Sequence, residues 1–323
     1  MRNIVLFILL QTLPIASFAQ NPRWKDGEAP VPARADLDVR WEALTKAIPS
    51  KVWVYRLLPN EFSPEIISNM MNLCSLTAKD KTAQSTNGMT FQSPDRSRKL
   101  SISFPSGRID YETAEPHYGP THLAEGVPPM SEMPKLATDV VRKAGISFSE
   151  ITNPFDRGRR TEGTSKFHLS EPLRIYFVGD TPITNIEYRT VKFWRCVDRI
   201  PVNAGDGGEV TFGEHGKIRK FTIVWRNLER YQWLATVNPK TAMNFLREGK
   251  AVQGLVLDSS EWATLKRVTI KEASPLYYDG HSGWLYPFLA LVATTEPTYG
   301  HTQFEIDCPI IDETKLAVPT NSP

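Results

Sequence analysis

Cysteine is scarce in this 323-residue chain, and that scarcity sets the first constraint. Cys74, Cys196 and Cys308 are too few, too scattered and too odd in number to staple a scaffold, so a hydrophobic core must hold the fold. Cys74 lies on the stripe Ile66, Ile67, Met70, Met71, Cys74, the spacing of a buried helix face, where a thiol serves as a small hydrophobe. An oxidising compartment would permit one bridge, Cys196 to Cys308, because both fall in expected strands.

Charge of one sign is missing as well. With 38 basic and 36 acidic residues the formal net charge is +2, so there is no monopole to attract nucleic acid, and none is expected as a partner. Also missing is an apolar run of the roughly 20 residues that a spanning helix needs. The longest begins near the amino terminus, where Arg2 precedes Ile4 to Leu10, a weaker stretch to Ile15, and Ser17-Phe18-Ala19. That order is the layout of a signal peptide cleaved near Ala19, and no cysteine follows the cut to take a lipid. The mature chain is expected outside the cytoplasm, periplasmic or secreted, with no stable membrane span.

The usual catalytic strings are absent too. No HExxH occurs, and His117 and His122 stand in a proline-rich loop with no third ligand. Gly280-His281-Ser282-Gly283 is followed by Trp284, where a nucleophile elbow needs glycine. Gly205-Asp206-Gly207-Gly208 has neither the lysine nor the following helix of a phosphate loop. Arg157-Gly158-Arg159-Arg160 reads as a solvated loop. Glu112, Glu115, Asp198 and Asp206 could meet in space, but sequence does not pair them. No catalytic, metal or cofactor-binding residue is assigned, and no cofactor or enzymatic activity is expected.

What is present is an ordinary globular composition, 41% hydrophobic and 23% charged. Signal peptide 1–19 and polar leader 20–38 precede an N-terminal unit at 39–112. A proline-rich linker at 113–130 leads to a larger unit at 131–312 and a tail at 313–323. Lys51–Leu58 is dense in valine and aromatics and reads as a strand; Ser63-Pro64-Glu65 opens a helix, and Asn238-Pro239 opens another. Ser131 is the expected cap of a helix whose Leu136, Val140, Val141 and Ala144 share a face. Strands are expected at 89–92, 100–104, 108–111, 173–178, 186–197, 209–212, 218–225, 265–278, 284–294 and 302–311. Without βαβ alternation, this favours an antiparallel α+β fold.

Val191-Lys192-Phe193-Trp194-Arg195, Val197-Asp198, Ile200-Pro201-Val202, a glycine corner, Glu209-Val210-Thr211-Phe212, Gly216-Lys217-Ile218 and a strand ending at Trp225 together resemble PepSY-like domains. That group includes peptidase-propeptide modules and extracytoplasmic regulators of the YycH and YycI type. The pattern departs at Arg199, where glycine is expected before Ile200. The resemblance implies antiparallel sheets each packed by one or two helices, in two half-copies. It also implies a non-catalytic module that binds or regulates another envelope protein.

A secreted hydrolase with an unrecognised carboxylate site, or an aromatic-lined glycan or ligand binder, is the alternative. Its candidate aromatics are Trp194, Trp225, Tyr231, Trp233 and Trp284; core packing is the commoner use of such residues, and Trp225 shares a strand face with Phe221 and Ile223. Arg226, Arg230, Tyr231 and Trp233 follow the hairpin in an expected loop and form the candidate partner surface.

Overall fold

The computed structural model of the protein describes residues 32–43, 48–114, 118–119, 121–153, 166–178, 180–203, 205–253, 259–279, 283–295, 303–312 and 315. The expected signal segment, the Arg157–Arg160 cluster, His117, Glu115 and residues 280–282 lie outside them. No helix among the described residues is long and apolar enough to cross a membrane.

One sheet grows from a meander of Lys81–Ser85, Gly88–Gln92, Arg98–Ser103 and Arg108–Thr113. Arg108–Thr113 then pairs with Ile218–Val224, which pairs with Gly207–Phe212, which pairs with Arg189–Val197. Residues from both sides of the 113–130 connection therefore share this sheet. Strand alternation decides its faces: Phe221 and Ile223 point inward, while Lys220 and Thr222 point out. The inward face is covered by the helices Pro64–Leu73 and Met133–Lys143, whose Met70, Ala137, Val140 and Val141 pack with Leu100, Ile109, Phe193 and Val210.

A second core lies around Arg267–Asp279 and Trp284–Thr294, flanked by Gln303–Pro309 and, through a short pairing, by Lys51–Leu58 and Asn227–Ala235. Trp284–Thr294 is buried over nearly its whole length. The helix Pro239–Arg247 seals one side with Ala242 and Leu246. At roughly 1.5–3 kcal/mol for each large apolar side chain removed from water, these two cores are the main source of stability.

The α+β expectation is corrected here. The protein is mostly β: among the described residues there are four α-helices, 6 to 11 residues long, and strands on both cores are joined by pairing into one large mixed sheet. Asp38–Trp41 and Ile200–Asn203 pair with Arg267–Asp279 in parallel, which an antiparallel scheme does not contain. Nor does each sheet carry its own helices in two half-copies, since Pro64–Leu73 and Met133–Lys143 cover a single core together.

The error has a physical source. Asp38–Trp41, Thr181–Ile186, Ile200–Asn203 and Asn227–Ala235 carry Pro, Asn or charge, which locally favour turns, yet all are strands because neighbouring strands supply their hydrogen bonds. The expected cap Ser131 is also displaced, because the helix begins after Glu132 with no side-chain cap.

Candidate functional site

The surface around Asn227–Ala235 is built by an irregularity. Arg230 lies opposite Tyr55 and Trp233 opposite Trp53, although Arg230 and Trp233 are three residues apart. Regular alternation would send them to opposite faces. A bulge between Arg230 and Gln232 inserts Tyr231 as an extra residue and restores both to the face of Tyr55 and Trp53. The Trp233 ring then sits 4.9 Å from that of Trp53, with the Arg230 guanidinium 5.4 Å from the Trp53 ring. Tyr231 meets the buried Trp284 edge-on at 4.7 Å. Trp233 remains 47% exposed and Tyr231 36%.

Beside them is a turn in strained backbone. Val197 pairs with Ile200, leaving Asp198 and Arg199 as a two-residue hairpin turn with φ of 49° and 67°. Both central residues are left-handed, the geometry of a type I′ turn, which favours Asn-Gly. Glycine was therefore expected at 199 for a sound reason, and Arg199 holds the position against its Cβ. The restraint comes from Asp198, whose carboxylate accepts from the Tyr55 hydroxyl and, at 3.2 Å, from Arg230. Burial, and secondarily the Asp198 carboxylate, push the Tyr55 hydroxyl up to about 12. It therefore stays protonated and donating at every physiological pH.

The four residues expected to form a partner surface do not stay together. Arg230, Tyr231 and Trp233 share this exposed patch, and they stand on a strand where a loop was expected. Arg226 is largely buried elsewhere, where its Nε donates to Asp206 at 2.8 Å and its Nη2 to Asp279 at 2.6 Å. Burial alone would lower its pKa; the two carboxylates more than offset that and leave it raised. Arg195 completes the network, donating to Asp206 at 2.8 Å and to the Arg226 carbonyl at 2.5 Å, and lies over the Trp225 ring at 4.7 Å. The Arg195–Trp225 segment is thus where the two cores are tied together.

The carboxylates that could have formed a catalytic pair are separately engaged. Asp198 is held by Tyr55 and Arg230, and Asp206 by two arginines. Among the described residues no group of three or more His, Cys, Asp and Glu side chains is placed to hold a metal ion. His122 stacks on Tyr118 at 5.8 Å. No disulfide joins Cys196 to Cys308, and burial pushes the thiols of Cys74 and Cys308 upward.

A concavity of about 380 Å³ opens on the helix-free face of the first sheet, walled by Trp194, Lys192, Glu209 and Lys220. Gly207 also lines it, at a position where a Cβ would meet the Phe193 carbonyl oxygen at 2.6 Å. Lys192 and Glu209 pair across it at 2.9 Å, as on an ordinary solvated sheet face. Sequence reasoning did not place Trp53, Tyr55, Asp198 or Arg199 with the candidate surface. The one available signal was the missing glycine at 199.

No family model matches the chain, and no curated protein does. Among solved structures, an uncharacterized protein from Eubacterium rectale is similar at 9% identity over 84% of this chain and 85% of that one, with a TM-score of 0.43. The C-terminal domain of Bacillus megaterium YpeB is similar at 8% identity over 77% of this chain and 99% of that one, with a TM-score of 0.34.

Proposed function

We propose that this chain is a non-catalytic, PepSY-like extracytoplasmic module that binds another envelope protein through Arg230, Tyr231 and Trp233. One observation carries the reading: Trp233 is held half-exposed on Trp53, whose ring also carries the Arg230 guanidinium that reaches Asp198 in the strained turn. Trp, Tyr and Arg are the side chains in which binding energy at protein interfaces concentrates. They gain most when held rigid before binding, because less side-chain freedom is then lost. Backbone strain of about 1–3 kcal/mol per residue persists only where surrounding contacts over-determine it, and such sites cluster at active sites, ligand clamps and switch regions. The signal-like amino terminus supports the compartment, and the residue pattern from Val191 to Trp225 supports the PepSY-like resemblance.

The test is capture by the immobilised full chain of a saturable partner from the envelope of its own cell. Trp233→Ala and Arg230→Ala should each weaken capture by about 2 kcal/mol or more, roughly thirtyfold, as truncation of an interface hot spot does. Recovery of no partner, or undiminished recovery by both variants, would overturn the proposal.

A further inference from the structure

Leu173–Val178 and Thr181–Ile186 form a two-stranded hairpin that pairs with no other described strand. Its register sorts its side chains. Arg174 with Asn185, and Tyr176 with Ile183, lie on one face; Leu173 with Ile186, Ile175 with Thr184, and Phe177 with Pro182 lie on the other. The first face, which also carries the exposed Val178 opposite Thr181 at the turn end, is docked on the body along the rest of its length: the Tyr176 hydroxyl donates to the buried Glu187, Arg174 pairs with Glu187 at 3.4 Å, and Asn185 accepts from the Ala124 amide at 3.2 Å. The second face is therefore turned outward, with Leu173 59%, Ile175 59% and Phe177 66% exposed. This inverts the usual order, in which the apolar face of a hairpin is the buried one.

The edge is as unusual as the face. An exposed apolar edge strand invites pairing, and proteins blunt such edges with lysine, proline or bulges. Lys81–Ser85 is exposed and polar throughout, and Thr181–Ile186 carries Pro182, which has no N–H to offer. Leu173–Val178 has neither lysine nor proline, its one charge, Arg174, is paired with Glu187 at 3.4 Å on the other face, and its pairing with Thr181–Ile186 runs without a bulge. A two-stranded sheet by itself is marginal in water, and a third strand completes it.

Area and charge select the occupant. The outward apolar patch is on the order of 400 Å², the size of a functional patch on a monomer. That is about half of the ~800 Å² each side of a stable dimer requires. A second copy of the chain is therefore a poor fit, whereas one short extended segment covers the patch. The outward face bears no charge, so the segment is apolar on the side it presents. We infer that the Leu173–Val178 edge receives an extended, uncharged segment of a partner protein as a third strand. Backbone hydrogen bonds would supply affinity, and alternate side chains lying over Ile175 and Phe177 would supply specificity. This strand belongs to a different sheet from Trp233, so the inference stands apart from the surface proposed above.

The test uses displayed random peptides of about ten residues, the upper range of strand length, selected on the full chain. Enriched sequences should alternate apolar residues, and a synthetic consensus peptide should bind at least about tenfold more weakly to Phe177→Lys and Ile175→Lys, a loss of about 1.4 kcal/mol. Trp233→Ala should bind it normally. N-methylation of alternate amides in the peptide should abolish binding to the unaltered chain, a readout that does not depend on any variant folding. No enrichment, or peptides indifferent to both lysine variants and to N-methylation, would overturn the inference. So would self-association in sedimentation, or adsorption to phosphatidylglycerol vesicles, that Phe177→Lys removes, because the occupant would then be a second copy or a lipid surface.

Discussion

At the scale of single residues, Arg199 shows how a departure from pattern becomes informative. Its φ of 67° is a conformation that costs an L-residue about 1–2 kcal/mol and costs glycine little. Arg199→Gly should therefore raise stability by about 1 kcal/mol in urea denaturation, after part of the relief is lost to the freer unfolded chain. A fall in the denaturation midpoint would mean that the Arg199 side chain contributes a contact outweighing the strain. Asp95 gives a pH-dependent case. Hydrogen bonds from Ser93 at 2.5 Å and Ser97 at 2.8 Å depress its carboxyl to about 2. A depressed folded-state pKa stabilises above the unfolded value of about 4 and ceases to do so as pH falls toward 2. Asp95→Asn should thus lower Tm at pH 7 relative to the unaltered chain, and the two melting curves should converge near pH 2.

At the scale of elements, much was legible wherever the chemistry is local. Ser63 accepts from the Ile66 amide and Asn238 from the Thr241 amide, each one residue before a proline, as their sequences suggested. Lys51–Leu58 and Phe221 with Ile223 follow from strand composition and alternation. The strand Asn227–Ala235 was not legible, because its polar run becomes a strand only against Lys51–Leu58, some 170 residues earlier in the chain. Its bulge was hidden for the same reason: which residue is extra depends on the partner's register. Deleting Tyr231 tests that reading. Without the extra residue the ladder closes one to one, with Arg230 still opposite Tyr55, Gln232 opposite Val54, Trp233 opposite Trp53 and Leu234 opposite Val52, so every side chain keeps its face. The variant should fold and lose only the contact of Tyr231 with Trp284, about 0.5–1.5 kcal/mol in urea denaturation. A loss of about 3 kcal/mol or more, as when a core leucine is removed, would show that the register beyond the bulge depends on Tyr231.

At the scale of the whole molecule, the Arg195–Asp206–Arg226–Asp279 network joins elements that the sequence keeps far apart. Asp279 ends a strand of the second core, while Arg226 lies in the link from Ile218–Val224 of the first core to Asn227–Ala235 of the second. No local pattern announces that Arg226 is largely withdrawn from water, since its two carboxylate partners lie 20 and 53 residues away. Arg226→Ala would leave Asp206 and Asp279 buried with one cation fewer between them. A loss of about 3–5 kcal/mol is expected in chemical denaturation, as for other broken buried pairs. A variant destabilised by less than about 1 kcal/mol would show that water reaches these carboxylates.

The central claim is that the patch of Arg230, Tyr231 and Trp233 meets a protein partner outside the cytoplasm. The most direct measurement places a photo-crosslinking amino acid at position 233 of the full chain in its own cell, with a second chain carrying it at the exposed Lys79 as control. The account predicts one discrete adduct from position 233, formed outside the cytoplasmic membrane and saturating with expression, and none from position 79. Equal, diffuse labelling from both positions, or no adduct from 233, would contradict it.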